Sequence, residues 1–208
     1  MFIVFEGLDG SGKSTQAKML AKKMEELKLP IVYTFQPSRG IVGQIAHDAL
    51  DGVIKLHNEA LSMVFAADRI GHYNDVIKPN LNDGKNIICD RYFYSNMVYQ
   101  GKTPELMKRI FDYNQHVANP PAKRPDIVLF IDVPPEECME RIKSSREIIS
   151  IYEATTKLEE QRKRYMTVFE MVKTTEKIIL IKASGKNPDE VAFMIWEEVK
   201  KEVKNLIA

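Results

Sequence analysis

Short runs of β-branched and aromatic residues recur along the chain, and between them apolar residues return at three- and four-residue intervals. Residues 2–5, 31–35, 86–89, 126–131 and 177–181 form the short runs and predict five buried strands. Helical spacing marks 13–27, 58–81, 104–117, 135–144, 151–173 and 188–205. Strand and helix therefore alternate. That order predicts an α/β fold in three layers, a five-stranded parallel sheet with helices on both faces, whose ligands bind beyond the carboxyl ends of the strands. Pro30, residues 119–125 and residues 185–188 read as loops too short to link domains, so 1–208 is expected to be a single domain. The charged run 157–164 reads first as a solvated helix face.

Charge changes the picture next. Thirty Lys plus Arg stand against 29 Asp plus Glu, a net charge of +1 over 208 residues. Such a chain has no overall field for holding nucleic acid or an anionic membrane, so neither is an expected partner and any phosphate chemistry must be local. The two cysteines, Cys89 and Cys138, are too few for a disulfide framework and lie in apolar stretches, which suits a reducing, cytoplasmic setting. The N-terminus MFIVFEGL has no basic leader, and the longest apolar runs are about five residues, against the roughly 18 of a membrane span.

The strongest local signal is Gly7-Leu8-Asp9-Gly10-Ser11-Gly12-Lys13-Ser14, followed by Thr15, which fits G-x-x-x-x-G-K-[ST] between a predicted strand and a predicted helix. Glycines let backbone N–H groups turn inward around phosphate oxygens, and the helix N-terminus adds positive potential. Lys13 would reach the β- and γ-phosphates, and the Ser14 hydroxyl would ligate magnesium. The motif points to a nucleoside triphosphate without separating a kinase from a switch or a motor.

Two further clusters bear on an acceptor. Asp90-Arg91-Tyr92-Phe93-Tyr94-Ser95-Asn96-Met97-Val98-Tyr99-Gln100 begins where the third predicted strand ends, on the ligand edge of the sheet. A carboxylate there can hold a magnesium-bound water, and an adjacent guanidinium can neutralise a transferring phosphoryl group; the same pair is also a common helix cap beside a surface cation. Phe65-Ala66-Ala67-Asp68-Arg69 lies in a helical pattern, so Phe65 and Arg69 share a face and can present an aromatic plate and a donor fork to one base. A core residue beside a snorkelling cation gives the same spacing.

Taken together, FEGLDGSGKST at 5–15, FAADR at 65–69, DRYFYSNMVYQG at 90–101 and PDIVLFIDVPPEECMERI at 125–142 resemble the thymidylate kinases of the nucleoside monophosphate kinase group, over essentially the whole chain. The resemblance implies a P-loop kinase fold and magnesium-assisted transfer of the γ-phosphoryl of ATP to dTMP, giving dTDP and ADP. It implies that Phe65 stacks on thymine, Arg69 and Asn96 read the base edge, Asp9 meets the 3′-hydroxyl and Tyr99 crowds the 2′ position. Arg91 would grip the acceptor phosphate, and Asp90 with Ser14 would serve the magnesium. Residues 7–15, Arg141, Ser184 and Lys186 would face ATP, under a lid at 142–153. Family members are commonly homodimers.

The chain departs from the family pattern in three places. Thr34-Phe35-Gln36-Pro37 stands for Thr-Arg-Glu-Pro, leaving Phe35 where a phosphate-binding arginine is usual; Arg39 is the candidate replacement for dTMP binding. Ser150-Ile151-Tyr152-Glu153 puts Ile151 at an expected lid cation, and Arg146, with Arg141 or Lys143 behind it, is the candidate catalytic substitute. Gly10 follows Asp9, where one subgroup carries an arginine. Two other readings therefore stay open. One is a related nucleotide or deoxynucleoside kinase with altered acceptor preference, for which Glu6 would be the base; the other is a P-loop nucleotide-binding protein without transferase activity.

Overall fold

The computed structural model describes residues 1–116, 124–145 and 155–207. Five strands, β1 (Phe2–Gly7), β2 (Ile31–Phe35), β3 (Asn86–Asp90), β4 (Ile127–Asp132) and β5 (Ile178–Lys182), form one sheet in the order β2-β3-β1-β4-β5. Every pairing is parallel, with Phe5 opposite Asp90 on one side and Leu129 on the other. All five strands lie within a residue or two of the predicted runs. β1 and β3 are wholly buried, as continuous apolar runs covered on both faces must be.

The helices are α1 (Lys13–Glu26), α2 (Ile41–Leu50), α3 (Asn58–His72), α4 (Lys78–Asn82), α5 (Phe93–Gln100), α6 (Pro104–His116), α7 (Pro135–Ser145), α8 (Thr155–Val172) and α9 (Pro188–Ile207). Three outcomes differ from the sequence reading. The expected helix over 58–81 is broken by a π-helical turn, Tyr73–Ile77, between α3 and α4. Pro79 explains this, because it has no N–H to give the carbonyl four residues back and its ring crowds that turn. Two helices, α2 and α5, were not predicted. The run 157–164 is no uniformly solvated face: Leu158 and Gln161 are buried, and Arg162 donates to Asp132 at the end of β4 through Nε (2.8 Å) and Nη2 (2.9 Å). Most of the lid expected at 142–153, with Arg146 and Ile151, lies outside the described residues.

Parallel strands put all five carboxyl ends on one side. The loop after β1 therefore meets the segments that follow β2, β3 and β4, and this convergence builds the site.

Candidate active site

The loop Gly7–Gly12 turns the chain from β1 into α1. Gly10 and Gly12 have φ of +78° and +89°, the left-handed region that glycine enters without a Cβ penalty. Gly10 also has no room to grow, since a Cβ there would lie 2.4 Å from the carbonyl oxygen of Cys138 on α7. The glycine that replaces one subgroup's arginine is thus required by how closely α7 approaches the loop. Gly12 caps α1, and Lys13, buried at the first helical position, donates through Nζ to the Leu8 carbonyl (3.3 Å) and to Asp9 Oδ1 (3.2 Å). The ammonium is held across the mouth of the loop, where a phosphate would sit.

On the α7 side, Arg141 Nη1 donates to the Ser11 carbonyl (3.4 Å), and its other nitrogen pairs with Glu137. Glu137 in turn accepts from the Ser184 hydroxyl (2.8 Å) and the Gly185 N–H (3.4 Å). One carboxylate thereby ties the loop after β5, including exposed Ser184 and Lys186, to Arg141 and the phosphate loop. Burial pushes the Glu137 pKa up, but the hydrogen bonds from Ser184 and Gly185 and the charge of Arg141 together outweigh it and hold the carboxyl below its ordinary value.

Arg91 follows β3 with φ +69°, a conformation that costs a non-glycine residue about 1 kcal/mol or more and tends to mark a functional position. Its guanidinium pairs with Asp9, donates to Ser95 Oγ (2.8 Å) and Tyr99 OH (3.3 Å), and lies 5.1 Å from the centre of the Tyr99 ring. Burial opposes ionisation of Asp9, yet Arg91 and Lys13 hold its carboxyl well below the usual range. Beneath them Glu6 is fully buried and accepts four hydrogen bonds: from the Tyr92 N–H (2.9 Å), the Ser95 N–H (3.2 Å), Ser95 Oγ (2.6 Å) and Tyr165 OH (2.8 Å). Burial pushes its pKa up, against the pull of Arg91 and these bonds. With its oxygens so occupied, Glu6 holds the start of α5 in place and is poorly disposed to take a proton from a ligand.

A cavity of about 250 Å³ opens above this network. Asp9, Phe65, Arg69, Arg91, Asn96 and Tyr99 all line it, so six positions singled out in three separate stretches of sequence meet around one space. Arg39 does not line it. Its guanidinium stacks 5.4 Å from the Phe35 ring in a neighbouring cleft, because the backbone turns into α2 after Gln36-Pro37 and carries Arg39 away. Gln36 lines the cavity instead.

Sequence reasoning missed the polar chain behind the cavity wall. Buried Arg69 donates through Nε to Gln36 Oε1 (2.9 Å) and through Nη1 to Asn114 Oδ1. Asn114 Nδ2 reaches Asn96 Oδ1 (3.3 Å), and Asn96 Nδ2 reaches Ser62 Oγ (3.0 Å) and Gln100 Oε1 (3.1 Å). Gln36 and Gln100 lie within stretches the sequence singles out but carry no signal of their own role there, and Asn114 lies in none of them.

Asp90 ends β3 beside the phosphate loop, and its buried Oδ1 has no hydrogen-bond partner. An unsatisfied buried carboxylate oxygen at this edge suits a cation or its bound water. Among the described residues, no group of three His, Cys, Asp or Glu could hold a metal unaided, and no helix is long and apolar enough to cross a membrane.

Residues 5–195 match the family model described as thymidylate kinase. A protein named "Probable thymidylate kinase" from Thermococcus kodakarensis is 38% identical over 182 residues, covering 82% of this chain and 85% of that protein. Another of the same name from Methanocaldococcus jannaschii is 37% identical over 187 residues, covering 86% and 89%. Among solved structures, thymidylate kinase from Candida albicans superimposes with a TM-score of 0.80 at 25% identity, covering 97% of this chain and 91% of that one.

Proposed function

The chain belongs to the thymidylate kinase family, and we propose that its cavity holds dTMP while the Gly7–Thr15 cradle holds ATP with magnesium between them. The protein is a phosphotransferase that phosphorylates dTMP to dTDP. The finer reading is carried by one observation, the convergence of Asp9, Phe65, Arg69, Arg91, Asn96 and Tyr99 on a single cavity beside Lys13.

In this reading Phe65 stacks on the thymine ring, and Arg69 and Asn96 face its edge. Asp9 accepts from the 3′-hydroxyl, and Tyr99 fills the space a 2′-hydroxyl would need. Arg91 grips the 5′-phosphate; the hydrogen bonds from its guanidinium to Ser95 and Tyr99 fix it before substrate arrives, so little reorganisation is left for the reaction. Lys13 and the backbone N–H groups of residues 7–15 hold the β- and γ-phosphates, with Arg141, Ser184 and Lys186 on the nucleoside side. An acceptor phosphate oxygen attacks the γ-phosphorus as its bond to the bridging oxygen breaks, leaving ADP and dTDP. Ser14 and Asp90 would hold magnesium, which when bound would offset the negative charge of the phosphates.

Arg146 remains the proposed lid cation at the reaction centre. A homodimer in the cytoplasm, with no nucleic acid or membrane partner, completes the proposal. Engagement of Glu6 by Tyr92, Ser95 and Tyr165 argues against a deoxynucleoside kinase, which needs a free base near the 5′-hydroxyl. The test is ADP release in the presence of dTMP, dUMP, UMP, dCMP, AMP, dGMP and thymidine. Fastest turnover with dTMP is expected. Preference for thymidine would replace this reading with a nucleoside kinase, and no release with any of them would leave a binding protein.

A further inference from the structure

We propose that His72 is a positioning residue: as a neutral imidazole it fixes the orientation of the Gln36 amide and thereby aims Arg69 into the acceptor cavity. The proposal rests on the reading of Arg69 as a donor to the acceptor base. His72 ends α3, one helical turn beyond Arg69, and its ring lies between two side chains of the β2 edge. Nε2 is 2.6 Å from Thr34 Oγ1, and Nδ1 is 3.1 Å from Gln36 Nε2. Gln36 Oε1 accepts from Arg69 Nε at 2.9 Å. His72, Gln36 and Arg69 are 6%, 6% and 3% exposed, so water has little access to replace a lost bond.

The donor and acceptor roles in this chain are forced. A guanidinium only donates, so the Gln36 atom that faces Arg69 must be oxygen. The amide nitrogen then faces His72 and can only donate, so Nδ1 must accept. The single ring proton is left on Nε2, pointing at the Thr34 hydroxyl. A second proton on the ring would set N–H against N–H. Relief requires the amide to turn over, and its nitrogen would then confront Arg69 Nε and release the guanidinium.

The charges around His72 are Asp68 and Arg69 on its own helix, Asp75 on the π turn and Arg39 across the neighbouring cleft; Thr34 from β2 and Gln36 just beyond it carry none. Asp68, already accepting from the Ser38 N–H and hydroxyl, and Asp75 favour the protonated ring. Burial opposes it more strongly, with Arg69 adding to the effect, and holds the pKa below the ordinary 6.5. The neutral relay therefore persists through neutral pH and fails as pH falls through the lowered value.

The test compares wild type with Gln36→Glu and His72→Asn. A carboxylate at position 36 accepts from both a protonated His72 and Arg69, so it removes the conflict. The phosphate of dTMP also titrates near pH 6, and the ratio of wild type to Gln36→Glu cancels that contribution. As pH falls from 7.5 to the midpoint of the His72 ring's own NMR titration, the ratio of KM for dTMP should rise about twofold, and further below that midpoint, with the kcat ratio unchanged, and His72→Asn should show no such rise beyond that of Gln36→Glu. In the ligand-free enzyme, the NMR signal of Arg69 Nε–H should shift with the His72 titration in wild type and stay fixed in His72→Asn. A flat KM ratio in folded variants, or an Arg69 signal indifferent to His72, would overturn the proposal. Failure of the base assignment has a different signature: Arg69→Lys would leave KM for dTMP unchanged while the Arg69 signal in wild type still followed His72.

Discussion

The two halves of the active site are built in opposite ways. The proposed phosphate cradle is one unbroken segment, residues 7–15, shaped by local backbone conformation at Gly10 and Gly12 and by the helix that begins there. The acceptor cavity draws Asp9 from that loop, Gln36 from beyond β2, Phe65 and Arg69 from α3, and Asn96 and Tyr99 from α5. Its polar side chains bond one another before they can bond a ligand. In the proposed reading a cradle residue acts on phosphate alone, whereas the acceptor residues are also bonded to one another, so changes in the acceptor should be non-additive.

Substitutions can break or sharpen this contrast, and the largest effect belongs to the cradle. Lys13→Ala should lower kcat/KM by roughly a thousandfold or more with the thermal midpoint little changed, since the ammonium acts on transferring charge; an active variant would remove the cradle assignment. Arg91→Ala, at the junction of the halves, should cost roughly a hundredfold and raise KM for dTMP, because it also removes the ion pair to Asp9 and the hydrogen bond to Tyr99. Combined with Asp9→Ala, it should cost clearly less than the product of the two single losses; full additivity would show that the two sides are independent.

Gly10→Ala tests the cradle as architecture. A Cβ facing the Cys138 carbonyl in a left-handed turn should cost roughly 1–3 kcal/mol, read as a lower midpoint in thermal or urea unfolding. Tyr99→Ala should shift preference several-fold toward a ribonucleotide acceptor over its deoxy counterpart, comparing UMP with dUMP. Arg39→Ala should be smallest, within about twofold in turnover, because the guanidinium stacks on Phe35 in the neighbouring cleft. A larger loss would show that Arg39 swings into the site when substrate binds.

Legibility in the sequence follows the same division. The strands were readable because each is a continuous apolar run, and the cradle because its chemistry is contiguous. Helix α5 was not, since seven of its eight residues are buried and no polar face is left to give a helical period. Helix α2 is short, opens on β-branched Ile41 and Val42, and contains Gly43, so propensity argues against it; packing on α3 decides otherwise. Arg39 is the cation nearest in sequence to the missing one. The turn of the chain into α2, invisible in residue order, carries it elsewhere.

The sequence by itself determined the strand order along the chain and the glycine-rich loop after β1, and it supplied the residue types proposed for the acceptor site, because each rests on spacing within a few residues. Only the tertiary structure decided that six of those residues share one cavity, that Glu6 is spent on holding α5, and that Gln36, His72 and Asn114 stand behind Arg69 and Asn96. The physical reason is that a buried donor must find an acceptor wherever the fold provides one. Partners separated by about 30 residues or more, as Gln36 and Arg69 are, leave no period in the sequence to announce them.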